Sequence, residues 1–142
     1  QTFCEKKLET DLVNYEFGLK GIVDYYKIDS NAKTITICDL KTTGKTITEF
    51  GETVDFYNYW MQAAIYCQLV IKNIDEEFKD YQILFKFVVI DKYDQVYVFD
   101  VLEGTLSDWA FRLKEVLDQA DYHYSKRNYN LPYQFLTGQV FL

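Results

Sequence analysis

Proline occurs once in the 142 residues and glycine six times, with no Ser-rich or Gln-rich tract, which excludes a long disordered or linker segment. No apolar run approaches the roughly 18 residues of a membrane span, and no signal peptide opens the chain. There are three cysteines, Cys4, Cys38 and Cys67, widely spaced and without a CxxC pair. Neither a disulfide framework nor a zinc knuckle is readable from them, and a reducing cytoplasmic compartment is the expectation. Cys38, inside the apolar stretch from Ile35, reads as a small buried hydrophobe. Cations are also scarce: 15 Lys and Arg against 22 Asp and Glu give a net charge of −7. Such a chain is not built to coat nucleic acid through a broad basic face.

What remains is an ordinary globular composition at the size of one domain. A chain of this length buries roughly two thirds of its unfolded surface, enough for a core without staples. Because it starts at Gln1 rather than Met, it is expected to be a processed or excised piece of something longer.

Period-two patterning predicts an edge strand in Gln1 to Val13 and strands over Leu19 to Ile28 and Lys33 to Leu40. The polar cluster Asp29-Ser30-Asn31-Ala32 between the last two predicts a hairpin turn. Lys41 to Thr53, polar with two glycines, reads as a loop. Phe56, Tyr59, Trp60, Ala63, Cys67 and Val70 recur at three and four, predicting a helix over Asp55 to Asn73. Gln82 to Ile90 is almost unbroken apolar sequence, as expected of a central strand covered on both faces. A turn at Asp91 to Asp94 leads to a return strand, Gln95 to Leu102. A second helix starts near Thr105 or Ser107 as N-cap and runs to about Tyr124. The tail from Asn128, with Pro132, reads as irregular chain, and the lone His123 as a boundary residue. Strands paired as hairpins and alternating with helices predict an α/β or α+β sandwich.

The hairpin carries the chemistry. With Ile28 opposite Lys33, Asp24 faces Ile37 and Asp39 faces Ile22. Asp24, Asp39 and Lys41 then share one face, with the two acids diagonal neighbours roughly 7 Å apart. A slip of one residue would separate them onto opposite faces. Two carboxylates beside Ile22, Ile35 and Ile37 repel unless a cation lies between them. A hard ion such as Mg²⁺, typically held by one or two carboxylates plus substrate phosphate, meets that need. Lys41 would put an ammonium at the rim, able to orient or deprotonate water or to offset charge on a phosphate. The chemistry implied is metal-assisted phosphodiester hydrolysis. An exposed strand end with surface ion pairs is the other reading of the same three residues. Gln62 and Tyr66, spaced i and i+4, share a helix face that can reach over the sheet end; a satisfied boundary pair is the alternative.

Gly21-Ile22-Val23-Asp24, Asp39-Leu40-Lys41-Thr42-Thr43 and Gln62-Ala63-Ala64-Ile65-Tyr66 occur in that order. Together they resemble the PD-(D/E)XK nuclease superfamily, and within it the RecB-like branch that includes RecE-type and other phage exonucleases. The resemblance implies a restriction-endonuclease-like α/β core, a mixed sheet of about five strands flanked by two helices. It implies a single nuclease core over residues 1–142, lacking the N-terminal helical region of that branch. It makes Asp24 and Asp39 metal ligands with the Leu40 backbone carbonyl, and Lys41 the catalytic lysine. Gln62 and Tyr66 would line the active site and contact the DNA strand end or brace the catalytic residues. Glu5 is the candidate upstream acid, with Glu9 and Glu16 behind it, and Lys45 is a candidate phosphate contact.

The activity so implied is a Mg²⁺-dependent deoxyribonuclease, with Mn²⁺ substituting, acting as an exonuclease in phage or bacterial recombination or repair. Some RecB-like nucleases hold an iron–sulfur cluster on four Cys; three scattered Cys do not supply those ligands. DNA is the implied partner, with a single-strand annealing protein and self-association as further candidates and no membrane. Two other readings stay open: a catalytically silent DNA-binding or assembly module of the same fold, and a structure-specific endonuclease. A bound Mg²⁺ would reverse the local sign where phosphate must sit, which reconciles the acidic chain with DNA.

Overall fold

A computed structural model describes residues 1–140 of the chain. Five strands form one sheet in the order β1 (Thr2–Asp11), β2 (Gly18–Asp29), β3 (Thr34–Thr42), β4 (Gln82–Ile90) and β5 (Val96–Val101). All neighbours are antiparallel except β3 and β4, which run parallel. That pairing requires a crossover, and the crossover carries α1 (Phe50–Phe56) and α2 (Tyr59–Asn73). After β5 the chain forms α3 (Glu103–Lys126) and a last turn, α4 (Tyr133–Leu136). The architecture is the mixed five-stranded sheet with flanking helices of a restriction-endonuclease-like core. Among the described residues no helix is long and apolar enough to cross a membrane.

Side-chain alternation on β3 sets the two faces. Ile35, Ile37 and Asp39 are buried while Leu40 is exposed, so the odd-numbered residues face the helices. Phe85, Phe87 and Val89 of β4 bury beside them, against Ala63, Leu69 and Val70 of α2. The α3 helix lies against α2 and reaches this core through Leu113 and through Trp109, whose ring is 6.3 Å from that of Phe87. Both long helices therefore cover the same face of the sheet. On the other face Val96 and Val98 are exposed, and Lys86 pairs with Asp100. Double coverage of β4 is thus not observed. Its apolar run reflects one core face and one face whose Leu84 and Val88 are half-buried among strand neighbours.

Several local expectations are corrected. The hairpin register places Ile28 opposite Ile35 rather than Lys33. Asp29 accepts backbone N–H groups from both Asn31 and Ala32 at 3.0 Å, and this Asx turn with a left-handed Lys33 lengthens the loop. The segment Lys41 to Thr53 is not one loop, because β3 continues to Thr42 and α1 begins at Phe50, whose buried ring anchors it. The long helix expected over Asp55 to Asn73 is broken at Asn58, which is left-handed (φ 57°). The α3 helix starts earlier than expected, with Leu102 as an N-cap that makes no side-chain bond. The tail contains the α4 turn, entered through Pro132. His123 does sit at the end of α3, its Nδ1 2.8 Å from the Asn128 carbonyl.

Gly21 fixes how closely α2 approaches the sheet. A Cβ there would lie 3.2 Å from Leu69 Cδ1 and 3.5 Å from Tyr66 Cε1. Gly21→Val is expected to cost about 1–3 kcal/mol by overpacking this contact, read as a lower urea midpoint at unchanged slope.

Candidate active site

The two acids come together where the sheet opens. The β2–β3 ladder runs from Asp29–Thr34 to Tyr25–Cys38 and stops there. Continued one pair beyond its end, that register would bring Asp24 level with Asp39 rather than diagonal to it. The two-residue shift leaves odd and even offsets unchanged, and Asp24 and Lys41 both lie close to Asp39 at this opening.

The cause of the opening is a kink shared by β1 and β2. Val23 and Tyr26 are both buried in the core although they are three residues apart, and Phe3 and Leu8, five apart, both pack into it. Alternation therefore breaks in both strands between these positions. Glu5, opposite Asp24 in the β1–β2 register, takes φ 47° and leaves the ladder, which skips from Cys4–Tyr25 to Lys6–Val23. Freed from its pairing, Asp24 turns its carboxylate to β3, where Oδ2 accepts the Leu40 N–H at 2.8 Å.

Asp39 is only 1% exposed, and neither carboxylate oxygen accepts a well-formed hydrogen bond. Among the described residues its one ion-pair partner is Lys41, with Nζ 2.7 Å from Oδ2. Lys41 is itself shielded: Nζ donates to Gln62 Oε1 at 2.5 Å, and Gln62 Nε2 donates to the Tyr66 hydroxyl at 2.8 Å. Lysine only donates, so the amide must present its oxygen to Lys41, which leaves the NH₂ for Tyr66. The Tyr59 ring closes the other side, its centroid 4.4 Å from Lys41 Nζ.

Desolvation pushes the Asp39 carboxyl up to about 6 from an ordinary 3.8; the Lys41 ammonium opposes the rise and Asp24 adds to it. Burial also pushes the Tyr66 phenol up, which keeps it a neutral hydroxyl. A carboxyl poised near neutrality in a dry site is a feature of chemical sites.

Asp24, Asp39, Lys41, Gln62 and Tyr66 are therefore brought together, with the Leu40 backbone beside them. Glu5 lies opposite Asp24 in register, but its side chain is exposed. Among the described residues no three acidic, His or Cys side chains lie close enough to hold a metal ion. Lys45 stands apart, exposed, with its ammonium 5.3 Å from the Phe56 ring. Tyr59, which the sequence pattern marked only as part of the apolar stripe of a helix, is a further participant. Its place three residues before Gln62 puts it on the same helix face and was the available signal.

The profile of the PD-(D/E)XK nuclease superfamily matches residues 2–128. Nothing matches among curated proteins. The crystal structure of a Eubacterium rectale protein named "Putative exonuclease" is similar at 14% identity and TM-score 0.57, over 85% of this chain and 44% of that one. That of SSO0001 is similar at 16% identity and TM-score 0.45, over 81% of this chain and 50% of that one. This chain thus spans half or less of the length of these solved structures.

Between its ordinary value and about 6, folded Asp39 keeps a proton that the unfolded chain has released. Stability should therefore fall as pH rises through that window, by at most about 3 kcal/mol. Urea unfolding in EDTA from pH 4 to 7 should show this slope, and Asp39→Asn should flatten it.

Proposed function

The chain belongs to the PD-(D/E)XK nuclease superfamily, and on that premise we propose that it is a divalent-metal-dependent deoxyribonuclease acting on DNA ends. The observation that carries the reading is the buried Asp39 carboxylate, short of donors and set close to Asp24 with Lys41 alongside. A buried charge this poorly satisfied destabilises a fold unless a ligand completes it.

The residues fit a hard cation. The donors are two carboxylates and a backbone carbonyl, all oxygen, which suits Mg²⁺ or Mn²⁺ better than a soft ion. Asp24 and Asp39 would hold it. A strand residue sends its N–H and C=O to the same edge. Since the Leu40 N–H bonds Asp24 across the opened ladder, its carbonyl is directed to the same gap. With no third acid beside them among the described residues, the rest of the shell would fall to water and substrate phosphate, the usual arrangement for Mg²⁺. When bound, such an ion supplies Lewis acidity toward the phosphodiester and lowers the pKa of its water.

The remaining work falls to the side chains. Lys41 places an ammonium beside Asp39, where it can position the attacking water and offset charge on the phosphate. Gln62 accepts from Lys41 and is fixed by Tyr66, so one helix face locks the lysine in place. Preorganisation of this kind lowers the barrier because no dipole reorients during the reaction. We assign Gln62, Tyr66 and Lys45 to DNA contact as well. We place the activity in the RecB-like branch, as an exonuclease in recombination or repair, on the ordered motifs quoted above.

With Mg²⁺ present, linear duplex DNA is expected to be degraded and covalently closed circles spared. Asp39→Ala or Lys41→Ala should lower the rate by about 10²–10⁴-fold. Cleavage of circles would instead make the protein an endonuclease. No hydrolysis of any DNA, or variants as active as the parent, would overturn the nuclease reading and leave a silent binding module.

A further inference from the structure

The break between α1 and α2 leaves two aromatic side chains on the surface beside the candidate site. Phe56 is 73% exposed and Tyr57 53% exposed. Neither contributes much to the core, so burial does not explain two adjacent aromatics here. Asn58, left-handed at φ 57°, interrupts what would otherwise be one continuous helix; Asn is among the few side chains that tolerate that backbone.

These rings are not isolated. The Phe56 and Tyr57 centroids are 4.9 Å apart, edge to face. Tyr57 lies 5.8 Å from Tyr59 with planes inclined by 26°, and Tyr59 lies 4.4 Å from Lys41 Nζ. An aromatic lane thus runs from the surface to the lysine of the candidate site. Lys45 stands over its outer end, 5.3 Å from the Phe56 ring and 5.8 Å from that of Tyr57. Of the acids on α1, Asp55 is paired with Arg112 at 3.4 Å, while Glu52 is exposed.

We propose that this lane binds the unpaired end of a DNA strand by stacking its bases on Tyr57 and Phe56, with Lys45 on the adjoining phosphate. The proposal rests on the nuclease reading of the site and adds the form of substrate, a single-stranded end. Stacking suits this chain better than an electrostatic grip. Its net charge is −7, so many phosphate contacts are not available to it. Every base has a π-face, which makes such binding tolerant of sequence and charge. The lane's continuity with Lys41 gives the strand a direction, toward the opposed acids.

The test is binding without hydrolysis. Fluorescence anisotropy in EDTA would compare a labelled oligothymidylate of about 16 nucleotides with a blunt duplex of equal length. The Phe56→Ala, Tyr57→Ala double variant should weaken single-strand binding about tenfold or more and leave duplex binding little changed; Tyr57→Trp should bind as well as the parent. Absence of single-strand binding by the parent, equal losses for both DNAs, or Tyr57→Trp no better than Tyr57→Ala would overturn the lane. A lane disproved this way leaves hydrolysis of DNA ends in Mg²⁺ intact, and an inactive protein that still stacks single strands leaves the lane intact.

Discussion

A carboxylate buried to 1% exposure with almost nothing to accept from is the constraint around which the molecule is arranged. Asp39 sits on β3 between Ile37 and Lys41, in a row that faces the core, and among the described residues no well-formed hydrogen bond relieves it there. The Lys41 ammonium offsets its charge, and the nearby Asp24 makes the position less favourable still. Core packing alone would replace such a residue with an apolar one at no loss. Its presence is what the proposed cation site would require.

The rest of the fold frames that position. A kink in β1 and β2 at Glu5 and Asp24 ends the ladder one pair short of the acids and frees Asp24 to reach the Leu40 N–H. Parallel pairing of β3 with β4 forces a helical crossover, and this brings α2 over the same sheet end. Gly21, without a side chain, lets Tyr66 and Leu69 come down onto β2. Tyr66 holds Gln62, and Gln62 holds Lys41. Each step is local, but together they fix one ammonium against one buried acid.

Much of this was legible in the sequence. Period-two alternation and the turn at Asp29 placed Asp24, Asp39 and Lys41 on one face, and the i, i+4 spacing placed Gln62 with Tyr66. The grouping did not depend on the error of two residues in register, because such a shift leaves odd and even offsets unchanged. The Asx turn that sets the loop length competes with shorter turns of similar composition, so the register was not readable. The helix break at Asn58 was hidden because the apolar spacing runs through it. Single coverage of the sheet was hidden too, since Leu84 and Val88 look alike whether a helix or a neighbouring strand shields them. The contact of Tyr59 with Lys41 was hidden because an aromatic on an apolar stripe carries no mark of the lysine above it.

The acidic balance of the chain takes on a narrower meaning against this geometry. Its anions are not spread as a repulsive shell alone; two of them converge where a cation would bring phosphate in. Titration calorimetry with Mn²⁺ near pH 7 tests that claim most directly, on the parent chain and on Asp39→Asn. Binding by the parent that is lost in Asp39→Asn is the expected result. A parent chain that binds no Mn²⁺, or binding unchanged by the substitution, would contradict the assignment of the opposed acids to a metal.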